Sequence, residues 1–424
     1  MKGLLRLALR SAWARRFTLG LMVISIALST LLILGAERLR HDVRRSFSQA
    51  LTGTDLIVGA RGSATQLVLH SVFHLGQAVQ PVSLERIESI SKMPQVSWVV
   101  PIALGDTLRG FPVVATDAQF LKHIQVGDRQ SLRLAHGAPF GAGLQAVLGS
   151  GVAQTLGLRV GDTLNLSHGG DALGGNTHDE HPFVVSGVLA ASGSPIDRSV
   201  LISLESMQTI HAGWVAGMRP RGPARSQDAS LDSSATSAAR PRTVSAAFVG
   251  LHNRAAVFSV QRALQSAPGE PLTAALPGVT LDELWSALGN GEAALRLLTG
   301  LVALASLAGL VSVIMAGLDA RRRELAVLRS VGATPLALTA LLVFETLFAC
   351  IAGLVIGLLL GAIAIALAAS PVQASFGIQL STGLPSHGEW LLMGAVLLAG
   401  MLSGLLPAWR ACRLSLADGL SPRS

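Results

Sequence analysis

Tyrosine is absent from this chain of 424 residues, cysteine occurs twice, and lysine only as Lys2, Lys92 and Lys122. Charged residues make up 14% of the sequence, against roughly 25% in a soluble domain. The shortage collects in a few long uncharged runs, which is the pattern of a chain that crosses a bilayer. Cys350 lies inside one such run and Cys412 just after another, so the large polar region must fold without a disulfide. No zinc-finger or CxxC spacing exists. GxxxxGK[ST] is missing too, and no lysine follows a glycine, which excludes the loop whose amides cradle nucleotide phosphates. Without a GxSxG elbow or an HExxH pair, this chain is read as a non-catalytic one.

Arginine supplies almost all of the net charge of +8. Much of it flanks apolar runs, where it orients helices in a membrane and does not signal nucleic acid. The first run, Phe17 to Ala36, carries no charge and would reach about 30 Å as a helix, the thickness of the hydrocarbon core. A cleavable signal peptide has a shorter core of about 7–15 residues, and here the run gives way to Glu37-Arg38-Leu39-Arg40, so an uncleaved anchor is expected. Further spans are placed at 293–318, 336–370 and 390–406. The third is too long for a straight crossing, and its first turns are expected in the interface or the cytoplasm.

Orientation follows from the short connections. The segment 319–335 carries Arg321, Arg322, Arg323 and Arg329, whereas the connection 371–389 has neither Lys nor Arg. The N-terminal stretch 1–16 is basic and spaced as an amphipathic surface helix, and the tail 407–424 holds Arg410, Arg413 and Arg423. Four spans put these basic parts on one side, which the positive-inside rule makes cytoplasmic, with both termini inside.

Residues 37–292 then form one large extracytoplasmic domain. Leu56 to Val58, Val96 to Val100, Phe111 to Ala115 and Phe183 to Leu189 read as strands, and Leu84 to Lys92 and Ala255 to Leu264 as helices. This alternation predicts an α+β domain, of one lobe or two. Residues 217–243 are rich in Ser, Ala, Pro and Arg and read as a flexible loop within it. All eleven histidines fall on this side. His70 and His74 stand one helical turn apart, and His178, Asp179, Glu180 and His181 follow a Gly-rich stretch that also contains His168. These residue types ligate zinc, but the domain must hold its histidines somewhere, and no metal centre is assigned; His178, Asp179 and His181 are the candidates for one.

Three stretches resemble a known family. Arg321-Arg322-Arg323-Glu324-Leu325-Ala326-Val327-Leu328-Arg329-Ser330-Val331-Gly332-Ala333 is similar to the R-x-x-E-x-x-x-L-R-x-x-G-A segment of FtsX-like permeases, the group that includes MacB. Glu345 followed by Gly353, Gly357 and Gly361 resembles the family's glutamate and GxxxG pattern. Gly404 to Ala411 resembles its G-x-x-P-A-x-x-A tail, with Leu416 in place of the usual later proline. Residues 54–74 and 178–200 are similar to a subgroup of stand-alone permeases.

The resemblance implies a membrane fold of four helices with a MacB-like periplasmic domain, in the bacterial inner membrane. It implies a homodimer with a separate ABC ATPase that uses ATP and Mg; no cofactor is expected on this chain. It assigns ATPase coupling to Arg321, Arg322, Arg323, Glu324, Leu325, Leu328, Arg329 and Gly332. The residues by themselves support that assignment, since they are spaced for a short amphipathic helix. Glu345, Ala349, Gly353, Gly357 and Gly361 recur every four residues, which makes a small-residue stripe after the glutamate on which another helix, of this chain or of a second copy, can approach closely.

The expected function is therefore transmission of ATPase-driven motion to the periplasmic domain, for export or extraction of an envelope substrate. Membrane lipid and a periplasmic adaptor or lipoprotein are the further partners considered; nucleic acid is not. The alternative is a permease-like regulator that transmits ATPase state to a periplasmic enzyme or adaptor. A proton-coupled transporter built on Glu345 is disfavoured by the lack of an inverted repeat or a second buried charge.

Overall fold

A computed structural model gives the fold and describes residues 16–413 except 51, 77–78, 128, 169–175, 178–179, 212–242, 290, 292, 295–296, 306–307, 310, 313–314, 316–329, 331, 333, 377–379, 382 and 384. Residues 1–15 of the expected surface helix 1–16, loop residues 217–242, the coupling residues Arg321 to Arg329 and the end of the tail lie outside the described residues. The chain divides into two compact units: residues 1–42 with 289–368 and 380–424, and residues 43–288 with 369–379.

In the first unit the opening apolar helix runs Arg16–Ser48 and does not stop at Ala36. The sequence after Ala36 holds no glycine or proline to break it, and Glu37 pairs with Arg40 one turn on, at 2.5 Å. The helix thus runs on past residue 37, where the extracytoplasmic domain is expected to start, and the second compact unit begins at Val43. Two helices among the described residues are long and apolar enough to cross a membrane, Leu19–Ser48 and Leu336–Gln373. The second belongs to a helix Pro335–Phe376, longer at its end than the expected 336–370. A further helix, His387–Arg413, contains the expected span 390–406 and continues past it, with a shorter apolar section His387–Leu402. The run expected at 293–318 is described in part, and residues 297–305 of it are helical.

These helices pack through small residues. A Cβ built on Gly353 would lie 2.7 Å from Ile26 Cβ and 3.0 Å from the Val23 carbonyl oxygen; on Gly357 it would lie 2.7 Å from the Ala27 carbonyl oxygen. At Gly361 the nearest atom, Leu31 Cδ1, is an ordinary 3.6 Å away. The stripe read from the sequence thus receives this chain's own first helix. Met22 and Ile26 bury against Ala349 and Cys350, and Leu34 against Leu354 and Met393. Outward, Phe344 and Phe348 are 70% and 73% exposed, a surface suited to hydrocarbon and costly in water. Arg38 donates to the Gly383 carbonyl and Asp42 accepts the Ser381 amide at 2.9 Å, which ties the first helix to the connection before His387.

The second unit is built on one sheet. In chain order its strands are β1 (Leu56–Ala60), β2 (Val82–Ser83), β3 (Val96–Leu108), β4 (Phe111–Thr116), β5 (Gln125–Val126), β6 (Gln130–Ser131), β7 (Leu134–Gly137) and β8 (Gln145–Leu148). They continue with β9 (Thr163–Leu164), β10 (Ser167–His168), β11 (Asn176–Thr177), β12 (Phe183–Leu189), β13 (Val200–Ser203), β14 (Thr243–Val244), β15 (Ala246–Leu251) and β16 (Leu272–Ala275). Twelve join a mixed sheet whose main path is β16-β1-β15-β3-β4-β13-β8-β12-β7, with β10 added to β3. Two short pairs, β14–β2 and β5–β6, stand apart from it, and Thr243, expected in the loop, opens β14. The pairs β12–β8 and β13–β4 are parallel; the other described pairs are antiparallel.

Both faces of the sheet are covered. Leu56 and Val58 point into one core with the helices Leu84–Ile90, Ser150–Leu156, Leu204–Ile210 and Val257–Ser266. Ile57, between them, points into the other with Ala64–Phe73, Gln119–His123 and Pro277–Ala287. Two buried faces explain why β13 and β15 read as continuous apolar runs without alternation. The motif 178–200 also has a structural reason. Asp197, fully buried, accepts the amides of Ser192 and Gly193 and the Ser192 hydroxyl, closing a tight turn. The neighbouring Gly149 must lack a side chain, because a Cβ there would collide with the Ile196 and Asp197 carbonyl oxygens.

His70 and His74 do not share a helix. The helix Ala64–Phe73 ends one residue before His74, which adopts a left-handed cap with φ 56°. His74 is half-buried as a residue and lines a small apolar space with Val114 and Phe120. Burial, with a smaller repulsion from His70, lowers its pKa from 6.5 to about 4.

Two outcomes follow. Between pH 6.5 and about 4 the unfolded chain binds a proton that folded His74 refuses, so stability falls on acidification through that window. Thermal unfolding of the full chain and of His74→Gln in detergent is expected to show a stability difference that shifts in favour of the variant as pH drops through this window; parallel pH curves would contradict the assignment. Gly357→Ala is expected to destabilise the helices by about 1–3 kcal/mol through overpacking, while Gly361→Ala stays within a few tenths of wild type, both read from the same unfolding experiment.

Candidate functional site

Of the coupling residues, only Gly332 is described. It is exposed, with φ +98°, a conformation open to glycine. Two residues later the Thr334 hydroxyl accepts the Ala337 amide at 3.3 Å, and the helix Pro335–Phe376 begins. The G-A-T-P sequence is therefore a turn followed by a capped helix start with proline at its first position. Glu345 is half-buried in that helix.

Among the metal candidates, His178 and Asp179 lie outside the described residues. His181 is half-buried and belongs to no histidine cluster found among the described residues. The structure brings together a different set: Asp106, His168 and His211.

The sheet positions these three. Asp106 sits on β3 where the pairing with β4 slips between Leu104 and Thr107, a bulge that re-aims side chains. β10 pairs with that part of β3 in a register that sets His168 opposite Asp106. His211 caps the end of the helix Leu204–Ile210. His168 Nδ1 lies 2.7 Å from Asp106 Oδ1, His211 Nε2 lies 3.3 Å from the same oxygen, and the two histidine nitrogens are 3.2 Å apart. The Asp106 side chain is wholly buried, while those of His168 and His211 are 30% and 24% exposed. Burial lowers the His211 pKa, but the Asp106 hydrogen bond and charge, with the Met207 carbonyl, outweigh it and raise the pKa overall.

Sequence reasoning named His168 only as a neighbour of other histidines and passed over Asp106 and His211. Asp106 and His168 are 62 positions apart and meet through strand pairing, which no local spacing reveals. Elsewhere in the domain, a cleft of ≈ 430 Å³ opens between Phe47, Thr52, Val72, Leu276 and Leu281, with Asp55 and Arg254 paired at 3.1 Å on its wall.

Comparison with known proteins covers nearly the whole chain. Residues 17–266 match the MacB-like periplasmic core domain and residues 296–416 the FtsX-like permease C-terminal region. No curated protein matches in sequence. Among solved structures, the periplasmic region of MacB from Actinobacillus actinomycetemcomitans is similar at 12% identity, covering 57% of this chain and 95% of that one, with a TM-score of 0.34. The extracellular domain of the noncanonic ABC-type transporter YknZ from Gram-positive bacteria is similar at 13% identity, covering 52% and 98%, with a TM-score of 0.29. The two family matches leave only short segments unassigned: the chain belongs to the MacB/FtsX-type permeases, membrane components of ABC transporters.

Proposed function

We propose that the chain is the membrane subunit of a MacB-type ABC transporter, acting as a homodimer with two copies of a separate ATPase. The observation that carries this reading is the order of the two family matches on one chain, periplasmic core domain first and permease region after it. The sequence holds no phosphate-cradling loop of its own, so ATP and Mg are used by the partner. The amphipathic segment Arg321 to Arg329 docks on that ATPase, and ATP-driven closure moves it.

Motion then passes along the helices. Gly353 and Gly357 seat the helix Pro335–Phe376 directly on backbone atoms of the helix Arg16–Ser48. That second helix continues without a break to Phe47, which stacks on Phe73 with ring centroids 4.5 Å apart and meets Trp285 at 5.7 Å. A two-state element of this kind responds to differential binding of a few kcal/mol, within reach of a nucleotide-driven partner. The task is export or extraction of a periplasmic or membrane-held substrate, with an adaptor or lipoprotein on the outer side. The cleft beside Phe47 and Val72 suits an apolar part of such a substrate.

Purified full chain in lipid nanodiscs is expected to hydrolyse no ATP, and co-expression is expected to bring down an ABC ATPase. Leu325→Asp with Leu328→Asp should reduce that co-purification at least tenfold while leaving the level of folded permease unchanged. ATP hydrolysis by the chain alone would refute this division of labour, and recovery of a periplasmic hydrolase in place of cargo or adaptor would favour the regulator.

A further inference from the structure

We propose that Asp106, His168 and His211 bind one divalent transition-metal ion of the zinc type, with solvent completing its coordination. The site goes beyond the transport reading and does not depend on it. Two imidazole nitrogens and one carboxylate oxygen are a donor set of this class. Magnesium and calcium instead favour shells made of oxygen.

The geometry points the same way. A tetrahedral ion about 2.0–2.1 Å from each ligand holds its ligand atoms about 3.3 Å from one another. Two of the three separations, 3.2 and 3.3 Å, already have that value. The third, 2.7 Å between His168 and Asp106, is a hydrogen-bond distance that opens slightly when an ion replaces the proton.

The tautomer of His211 is fixed by its backbone. Its Nδ1 lies 2.8 Å from the Met207 carbonyl oxygen, which can only accept, so Nδ1 carries the hydrogen. In the neutral ring the Nε2 lone pair then faces Asp106 Oδ1 and His168 Nδ1. A ligating histidine whose other nitrogen donates to a carbonyl is the usual outer support of a metal site. Electron-rich atoms this close repel one another unless a proton or a cation lies between them.

Access is suited to a bound ion with an exchangeable position. Asp106 forms the buried floor, and the two partly exposed rings form the rim. The ion would join three elements of different origin: the bulge of β3, the strand β10 and the end of the helix Leu204–Ile210. A trio held by hydrogen bonds alone would use the same contacts without binding metal, and the experiment separates the two.

Full chain purified in detergent and stripped with a chelator is dialysed against Zn²⁺, and separately titrated with Co²⁺. One Zn²⁺ per chain, a higher melting temperature on adding metal and the visible absorption of four-coordinate Co²⁺ are expected. His168→Gln, His211→Gln and Asp106→Asn are each expected to weaken binding about tenfold or more, with folding checked by melting without metal. His181→Gln, from the stretch singled out in the sequence, should keep wild-type affinity. Zinc stoichiometry in the His168→Gln/His211→Gln double variant equal to wild type overturns the assignment, as does a loss confined to His181→Gln. Should the variants not fold, the wild-type chain decides: no melting shift and no cobalt absorption means a hydrogen-bonded trio only.

Discussion

The domain depends on covering both faces of its sheet. Successive residues of β1 serve opposite cores, Leu56 and Val58 on one side and Ile57 on the other, and all three are fully buried. A strand in that position has no polar face, so each helix that flanks the sheet is needed to keep its backbone from water. Burying one such side chain is worth about 1.5–3 kcal/mol. The requirement also explains the tight places around the sheet, such as Gly149 against the Asp197 turn, where helices and turns pack onto a layer that has no room to move.

Much of this arrangement was legible in the residues. Phe183 to Leu189 reads as a strand and is one, because apolar residues between Pro182 and Ala190 leave little else open to it. Val96 to Val100 was legible only in its first half. β3 continues to Leu108 through Pro101 and Gly105, residues that ordinarily weaken a strand, since pairing with β15, β4 and β10 outweighs local preference. The first apolar helix outlasts its uncharged run for a related reason: charge marks where a helix can leave hydrocarbon, and does not mark where it stops.

The candidate site was far less legible. A metal-ligating pattern can be recognised in sequence when its ligands share a helix or a loop. Here the candidates come from a bulged strand, a two-residue strand and a helix cap, united by the register between β3 and β10 and by the placement of that helix end. Closeness in sequence is a poor guide for one pair of histidines. His74 departs from the helix that holds His70, so their four-residue spacing does not put them on one face.

Arg38 changes how the charges after the first apolar run should be counted. Rules of topology treat every arginine near a span as a vote for the side on which it prefers to stay. This guanidinium is occupied locally, by the Gly383 carbonyl and the Ser381 hydroxyl, in a connection that has no basic residue of its own. Its donors are engaged in holding two stretches of backbone together, and an arginine so employed has a local task beside any part in how the chain was threaded.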